Sequence, residues 1–409
     1  MSDDARVLRD AMVDRIVREQ RRLGSTPPPA VEEAMRRVPR HLFTPGVPLE
    51  TAYGMESVIL KHDDRRGIAR SPVSAPSIVA AMLGQCGDLR GKNVLEIGSG
   101  GYNAALLREL TGPDGSVTTI DIDPDVVDRA KTCLAAAGYT DVRVLEGDGE
   151  HGAAEHPAGF DVIMVTAGAW DIAPAWIDQL AEGGTLVLPL RTLGLTRSWA
   201  LRRSGDHLES LGKTLCSFVP MQGRGEHTGI RVPLHDTGVG LLLDEEQHVD
   251  PAALEGVLST PRAERWSGVT VGTLAPFDDQ DMWLATRLEG FAVLTADQEA
   301  LDSGVVAPSW RLRTPALIDG PALAYRAKPR PLDTGRTTFE FGVYAHGPAA
   351  SAAADRFAAE IVRWDRQGRP APSMTVHPAG TPDAQLPPGF VLDKKHSRIV
   401  LSWPHSAAR

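Results

Sequence analysis

The chain has little cysteine and no long apolar run. Its 409 residues include three cysteines, Cys86, Cys133 and Cys216, which are far apart and in no paired spacing. Such a set indicates neither a disulfide framework nor a thiolate metal site, so no metal is expected. No stretch approaches the roughly 20 consecutive apolar residues that a membrane-spanning helix needs. The first residues also lack the basic-then-apolar pattern of a signal peptide, and we expect a cytoplasmic protein with no membrane partner.

Positive charge is also in short supply. Lys and Arg number 43 against 53 Asp and Glu, which gives a formal net charge of -10 at pH 7. Binding to nucleic acid usually needs a broad cationic surface, so nucleic acid is not expected as a partner. A chain of this length exceeds what one compact core normally encloses, and it favours two or three domains. None of these features indicates the oligomeric state.

The first part of the chain predicts helices. Apolar residues recur at helical spacing between about residues 5 and 22, which predicts an amphipathic helix. Three prolines at 27–29 end that helix and suit the first turn of a second one, predicted over residues 31–38. No clear periodicity follows up to Ser71. Residues 1–75 are therefore predicted to form an N-terminal helical segment that packs on the next domain.

Short apolar strands then alternate with helical stretches. The predicted elements are, in order, strand 93–97, helix 104–110, strand 116–120, helix 124–137, and strands at 142–145, 161–165 and 185–190. This rhythm is typical of an α/β fold with a doubly wound, mostly parallel sheet. Right-handed crossovers bring the carboxyl ends of such strands to one edge, where ligands bind. We therefore expect the functional site along that edge.

The second half of the chain lacks this rhythm. Residues 198–203 are predicted to pair antiparallel and to close the sheet at about residue 205. Residues 206–335 mix short apolar runs with Gly and Pro and give no clear pattern. The tail resumes with a predicted strand at 337–344, a helix at 349–364 and strands at 374–377 and 398–403. We therefore predict an α/β domain over residues 76–205 and an additional C-terminal α+β domain over residues 206–409.

A glycine-rich turn between a strand and a helix is the strongest local signal. It is the run VLEIGSGGYNAALL, residues 94–107, in which Gly98 and Gly100 allow close ligand approach that side chains would prevent. Such a turn would also fit NAD or FAD. The third glycine of a dinucleotide-binding motif, however, would fall at Asn103, which disfavours those cofactors.

Three acidic residues at successive strand ends favour S-adenosylmethionine instead. Glu96 precedes the glycine turn, where a carboxylate would repel a pyrophosphate but attract an ammonium and a sulfonium group. Asp121 ends the second strand, where it suits the ribose hydroxyls, and Asp148 follows the third strand, where it suits the adenine amino group. Each residue has a structural alternative. Glu96 would be a surface charge, Asp121 the start of a turn and Asp148 a helix cap.

Several motifs, in the order in which they occur, resemble the protein-L-isoaspartate O-methyltransferase family. They are MVDRIVREQ, EAMRRVPRHLFTP, the SAP of SPVSAPSIVAAML, the glycine turn, TTIDIDP, EGDG, and FDVIMVTAGA with LAEGGTLVLPL. The resemblance covers roughly residues 10–205, about half of the chain. It implies an S-adenosylmethionine-dependent methyltransferase, with residues 76–205 as the cofactor-binding domain, that esterifies the carboxylate of isoaspartyl residues in peptides.

The resemblance also implies site residues. Ser74 falls on the family's active-site serine, near the methyl group and the substrate carboxylate, with the N-cap of the helix at Pro76 as its structural alternative. Trp170 is a further candidate from its position alone: it follows the fourth strand at the same edge and could stack on the substrate, with plain packing as the alternative. The residues that fall on the family's cofactor contacts are Glu96, Gly98, Ser99, Gly100, Asp121, Ile122, Asp148 and Gly149.

Departures from the family pattern bear on the substrate. The glycine turn is one residue shorter than the family's form, Ser71 and Pro72 replace the usual residues before the serine, and residues 61–68 are unusually charged. The C-terminal half is foreign to the repair enzymes. It resembles extended relatives that methylate an aspartate in ribosomally made, modified peptides of the lanthipeptide or graspetide kind. We therefore expect a modified precursor peptide as substrate and partner, bound by residues 206–409, with the ester leading through a succinimide to Asp or isoAsp.

Three other functions remain open at this level. One is a general protein-L-isoaspartate repair methyltransferase with an unrelated appendage. The second is a small-molecule methyltransferase, which the lack of a histidine near the glycine turn disfavours for hydroxyl substrates. The third is a non-catalytic peptide-binding module that retains the cofactor fold.

Overall fold

The structure is a computed structural model that describes residues 3–22, 24, 26–60, 72–98, 100–153, 159–234, 238–244, 247, 249–310 and 313–404. Its helices are α1 (Asp3–Arg22), α2 (Pro29–Arg37), α3 (Leu49–Ala52), α4 (Pro76–Gln85), α5 (Tyr102–Thr111), α6 (Pro124–Ala137), α7 (Pro174–Gln179), α8 (Asp278–Arg287), α9 (Gln298–Asp302) and α10 (Ala350–Arg366). No described helix combines the length and the apolar character that crossing a membrane would require.

The strands of the first half are β1 (Val58–Ile59), β2 (Pro72–Val73), β3 (Asn93–Ile97), β4 (Ser116–Asp121), β5 (Arg143–Glu146), β6 (Phe160–Val165), β7 (Leu180–Thr192), β8 (Leu195–Ser204) and β9 (His207–Leu215). The strands of the second half are β10 (Ile230–Pro233), β11 (Val239–Leu243), β12 (Ala263–Gly272), β13 (Phe291–Ala296), β14 (Thr314–Asp319), β15 (Ala322–Arg326), β16 (Arg330–Pro331), β17 (Thr338–His346), β18 (Ser373–Pro378), β19 (Phe390–Asp393) and β20 (Ser397–Ser402). Each strand and helix predicted from apolar periodicity has a counterpart whose bounds agree to within a few residues.

The central sheet is mixed, and its parallel half positions the site. Its order is β19-β20-β18-β9-β8-β7-β6-β3-β4-β5, and the strands from β7 to β5 run parallel to one another. Both β3 and β6 are almost wholly buried, as strands covered by helices on both faces must be. Strand order reverses between β3 and β6, so the crevice for a ligand opens there. The predicted doubly wound α/β fold is confirmed.

A second sheet is antiparallel and belongs to the second half of the chain. Its order is β10-β11-β13-β14-β15-β17-β12, with β16 paired to β17. Helix α10 packs against β12, β15 and β17 through a buried stripe that includes Phe357 and Ile361. One hydrophobic core is continuous across both sheets, since it holds Leu95 and Trp199 together with Trp283 and Phe357. The predicted α+β character of the additional C-terminal part is confirmed.

The sheets divide the chain differently from the predicted boundary at residue 205. Strand β9 continues the central sheet beyond that point, and β18 pairs antiparallel with β9 through Val376 and Leu208. The last strands, β19 and β20, extend the same sheet. Residues 373–402 therefore return to the sheet that carries the glycine turn, because the exposed edge of β9 offers them main-chain hydrogen bonds.

Buried ion pairs join the two sheets. The guanidinium of Arg197 on β8 lies 3.1 Å from the Asp281 carboxylate in α8, and Arg326 on β15 lies 2.7 Å from the other oxygen of Asp281. Lys213 on β9 pairs with Asp279 at 2.5 Å. Arg197 and Lys213 belong to the first sheet and Arg326 to the second, so these ion pairs fix the two sheets against each other through α8. The acidic first turn of α8 also lies at the positive end of the helix dipole, which stabilises the helix.

Candidate active site

A cleft opens at the carboxyl ends of β3, β4 and β6. It encloses about 1020 Å³, counting the space open to solvent. Its walls include β2, the glycine turn, Val79 and Met82 of α4, and residues 218–222. Of the residues predicted for the site it brings together Ser74, Glu96, Gly98, Gly100, Asp121, Ile122 and Gly149. Ser99 lies outside the described residues.

Two glycines make room for this cleft. Gly98 has a φ of +89°, which side chains rarely adopt, and a Cβ there would lie 3.0 Å from Thr166 Oγ1. The Thr166 hydroxyl donates to the carbonyl of Ile97 at 3.1 Å and so holds the turn to the end of β6. At Gly149 a Cβ would lie 2.3 Å from Ile97 Cγ2. Side chains at either position would therefore push the walls of the cleft apart.

Glu96 is a buried carboxylate at the floor of the cleft. Only 1% of the residue is exposed, so the alternative that it is a surface charge is wrong. Its oxygens accept hydrogen bonds from Asn103 Nδ2 at 2.8 Å and from Thr119 Oγ1 at 2.6 Å. Asn103 Oδ1 is itself buried and has no hydrogen-bond partner within the described part of the chain. A carboxylate beside an unused amide oxygen fits a cationic group with several N–H donors, such as the ammonium of S-adenosylmethionine.

Asp121 and Ile122 stand at the end of β4 on the same cleft. Asp121 Oδ1 accepts a hydrogen bond from the backbone N–H of Asp123 at 2.9 Å, so the residue also begins a turn, as its structural alternative held. The Ile122 side chain is 37% exposed although it lines the cleft. An apolar side chain in this position offers a surface that a planar ring of a ligand would cover.

Asp148 does not line the cleft. Its Oδ1 accepts the backbone N–H of Glu150 at 3.0 Å and so caps a single 3-10 turn, Gly149–His151. Its Oδ2 accepts the backbone N–H of Arg224 at 2.9 Å. Asp148 is therefore a cap, as its structural alternative held, and its contact with the adenine of the cofactor stays a prediction.

Ser74 lies between β2 and α4 and is held by a buried arginine. The Arg40 guanidinium is fully buried and donates to the carbonyl oxygens of Ala52 at 2.8 Å and of Ser74 at 3.0 Å. Burial lowers the pKa of Arg40 from its usual value. Ala75, not Ser74, is the N-cap of α4, so the capping alternative for Ser74 is wrong. The Ser74 main chain is thus fixed at a position that lines the cleft.

Residues 218–222 complete the cleft and were not predicted. The carbonyl of Val219 accepts the N–H of Gly168 at 2.7 Å, and the N–H of Met221 donates to the carbonyl of Gly168 at 2.9 Å. These bonds hold the segment across the carboxyl end of β6. Its sequence, Phe-Val-Pro-Met-Gln, carries only a weak signal, a proline within an apolar run after β9.

Trp170 lines a neighbouring cavity rather than the cleft. Its ring is stacked on His227, with the ring centres 4.2 Å apart, and Lys394 Nζ lies 4.7 Å from the ring centre. Packing within the chain therefore already engages the ring that was predicted to stack on a substrate. Contact with the substrate stays a prediction for this residue.

Comparison with known proteins assigns the chain to a family. The family model for protein-L-isoaspartate(D-aspartate) O-methyltransferases matches residues 11–226, which is more than half of the chain. The chain belongs to this family. The predicted recognition of protein-L-isoaspartate O-methyltransferase motifs is confirmed, and so are the prediction of an enzyme of this kind and S-adenosylmethionine as its cofactor.

The relatives found by sequence cover about half of the chain, and a solved structure aligns over more of it. It is 36% identical over 227 residues to a protein-L-isoaspartate O-methyltransferase of Methanopyrus kandleri, which covers 54% of this chain and 96% of the relative. It is also 36% identical to the enzyme of Methanococcoides burtonii over 197 residues, which covers 47% of this chain and 92% of the relative. A solved structure named protein-L-isoaspartate O-methyltransferase aligns with a TM-score of 0.48 and 18% identity, over 89% of this chain and 96% of that one.

Proposed function

We propose that the cleft methylates the side-chain carboxylate of an isoaspartyl residue in a polypeptide, with Ser74 as the residue that orients the carboxylate. The observation that carries the proposal is that Ser74, Glu96 and Asp121 line one cleft in a chain of the protein-L-isoaspartate O-methyltransferase family. Methyl transfer with S-adenosylmethionine belongs to the family; the assignment of roles to individual residues is the proposed step.

The cofactor would be held by residues already on the cleft wall. Glu96 and the Oδ1 atom of Asn103 would accept hydrogen bonds from its ammonium group, because both are buried acceptors at the floor. Asp121 would accept bonds from the ribose hydroxyls, and Ile122 would cover the adenine. Gly98 and Gly149 would allow close approach. When bound, S-adenosylmethionine supplies an electrophilic methyl group on a sulfonium.

Ser74 would act by orientation, not as a base. A side-chain carboxyl with a pKa of about 3.9 is ionised at pH 7, so no residue need remove a proton before the attack. The Ser74 hydroxyl would donate to one carboxylate oxygen and leave the other free to attack. Holding the reacting atoms in line draws on proximity, which can lower a barrier by roughly 7 to 11 kcal/mol. Arg40 contributes by fixing the Ser74 main chain.

A second candidate is a narrower substrate, an aspartyl side chain of a ribosomally made, modified peptide. What supports it is the extent of chain beyond the family match at residue 226, which includes the whole second sheet. In this version residues 206–409 form an accessory domain that selects the precursor peptide. The methyl ester would then close to a succinimide that opens to Asp or isoAsp.

One assay with three peptides separates the candidates. They are a linear isoaspartyl peptide, its aspartyl twin and a ring-constrained version of the aspartyl peptide, each followed as base-labile methyl ester. Repair activity predicts turnover of the isoaspartyl peptide alone. A precursor-peptide enzyme predicts preference for the ring-constrained aspartate. If the protein binds S-adenosylmethionine but methylates none of the three peptides, both candidate functions are contradicted. The remaining alternative is then a non-catalytic peptide-binding module.

A further inference from the structure

A second cavity lies beside the cofactor cleft and is walled partly by the tail of the chain. It encloses about 1060 Å³, counting the space open to solvent. Its walls are the Glu150 turn, Trp170 and Asp171 after β6, residues 224–227, and residues 393–396 of the tail. Met221 lines both the cleft and the cavity, so the two are adjacent. The tail residues lie beyond the family match, which ends at residue 226.

The tail is fixed in this wall by side-chain bonds. The Asp171 carboxylate accepts the backbone N–H of His396 at 2.7 Å and the Ser397 hydroxyl at 2.5 Å. The Lys394 ammonium donates to the carbonyl of Arg191 at 2.6 Å and also to the carbonyl of Trp170. These bonds make the cavity a preformed feature of the fold.

Among the cavity residues, the buried atoms Trp170 Nε1, a donor, Glu150 Oε2, an acceptor, and His396 Nε2 have no hydrogen-bond partner within the described ranges. The other carboxylate oxygen, Glu150 Oε1, lies 3.4 Å from His396 Nε2. Buried polar groups are normally paired, and leaving one unpaired is destabilising. Trp170 Nε1 and Glu150 Oε2 therefore indicate a ligand that brings both an acceptor and a donor.

A peptide main chain fits this requirement. Each peptide unit carries one C=O acceptor and one N–H donor. A phosphate or carboxylate would meet the buried Glu150 carboxylate, and a lone cation would leave the Trp170 N–H without an acceptor. The exposed rim is of mixed charge, with Arg224 and Lys395 against Glu226 and Asp393, and so selects neither sign.

The cavity is within reach of a peptide bound in the cleft. Ala167 lines the cleft and Trp170 lines the cavity, and they are separated by three steps along the chain. Their Cα atoms are therefore no more than about 11 Å apart, which an extended peptide of a few residues spans.

We propose that the second cavity binds the main chain of the acceptor peptide a few residues from the methylated carboxylate. Trp170 Nε1 donates to a peptide carbonyl, and Glu150 Oε2 accepts a peptide N–H. This inference rests on the proposed peptide substrate and adds the part of the peptide that is recognised. Because the tail forms one wall, the additional half of the chain enters substrate binding at this cavity.

The test compares two peptides. One is a tripeptide with the isoaspartyl residue in the middle, and the other is the same tripeptide lengthened at both ends with glycine, serine and alanine. We expect the full-length protein to have a higher kcat/KM for the longer peptide, mainly through KM. Trp170→Phe and Glu150→Gln should each lower that length advantage about threefold to tenfold, as expected for one lost hydrogen bond.

Matched controls and a binding readout keep the outcomes apart. Trp310→Phe and Glu289→Gln make the same chemical changes at exposed positions away from the cavity and should leave the length advantage intact. Calorimetry with the longer peptide and S-adenosylhomocysteine measures binding without turnover. An unchanged length advantage and unchanged binding in both cavity variants would overturn the inference. Peptide binding that depends on Trp170 without any methyl transfer would support it and contradict only the proposed function.

Discussion

At the scale of single residues, the decisive question is what the Ser74 hydroxyl does. Ser74→Ala removes the donor proposed for the substrate carboxylate but leaves the main chain held by Arg40. We expect kcat to fall about tenfold, the value of one hydrogen bond to a charged group. Binding of S-adenosylmethionine, measured as the rise in melting temperature, should change little because Glu96 and Asp121 are untouched.

A nearby serine provides the control for that variant. Ser77 lies in the first turn of α4 and does not line the cleft, so Ser77→Ala should retain wild-type kcat. If Ser74→Ala also retains wild-type kcat, Ser74 does not orient the substrate.

Burial at single residues decided which of the predicted acids form the cleft. Glu96 and Asp148 look alike in sequence, since each lies near the carboxyl end of a strand. Only Glu96 lines the cleft, because the backbone N–H groups of Glu150 and Arg224 already engage the Asp148 carboxylate. Arg224 is distant from Asp148 in sequence, so no local pattern could have predicted that bond.

At the scale of elements, the turn after β5 must pack closely on β3. Gly149→Ala would place a Cβ 2.3 Å from Ile97 Cγ2, so the Ile97 side chain or the turn itself must shift. We expect a loss of about 1 to 3 kcal/mol in the free energy of unfolding and weaker binding of S-adenosylmethionine. Chemical denaturation and calorimetry measure the two effects.

Another glycine of the same cleft tests whether close packing is the cause. At Gly100 the nearest atom that a Cβ would meet among the described residues is Val73 Cγ2 at 3.8 Å, so Gly100→Ala should leave the unfolding midpoint nearly unchanged. Equal destabilisation by both substitutions would show that the contact with Ile97 is not the reason.

At the scale of the whole molecule, the two halves share one core. Truncation to residues 1–226, the range of the family match, would remove β18 from the edge of β9 and expose core residues such as Trp199. We expect this fragment to aggregate or to lack a cooperative unfolding transition, because a bare strand edge beside exposed apolar surface favours association. A soluble fragment that melts cooperatively and binds S-adenosylmethionine would contradict this.

The sequence by itself determined the parallel half of the central sheet and its glycine turn. Helix α6 (Pro124–Ala137) has the bounds that apolar periodicity predicts, and β3 has its predicted bounds as well. These elements could be predicted because their signals are local: a strand, a glycine turn and a helix follow one another along the chain. Three acids near strand ends were enough to favour S-adenosylmethionine over a dinucleotide.

Tertiary structure alone decided what lies across from those elements. The return of residues 373–402 to β9, the 218–222 segment on the cleft and the tail wall of the second cavity all join residues far apart in sequence. In the short strands between residues 206 and 335, apolar and polar residues alternate too weakly for each strand to be predicted from its own sequence. Which of their faces is buried depends on the core that they share with other elements. Periodicity records which face of an element is buried; it does not record which element buries it.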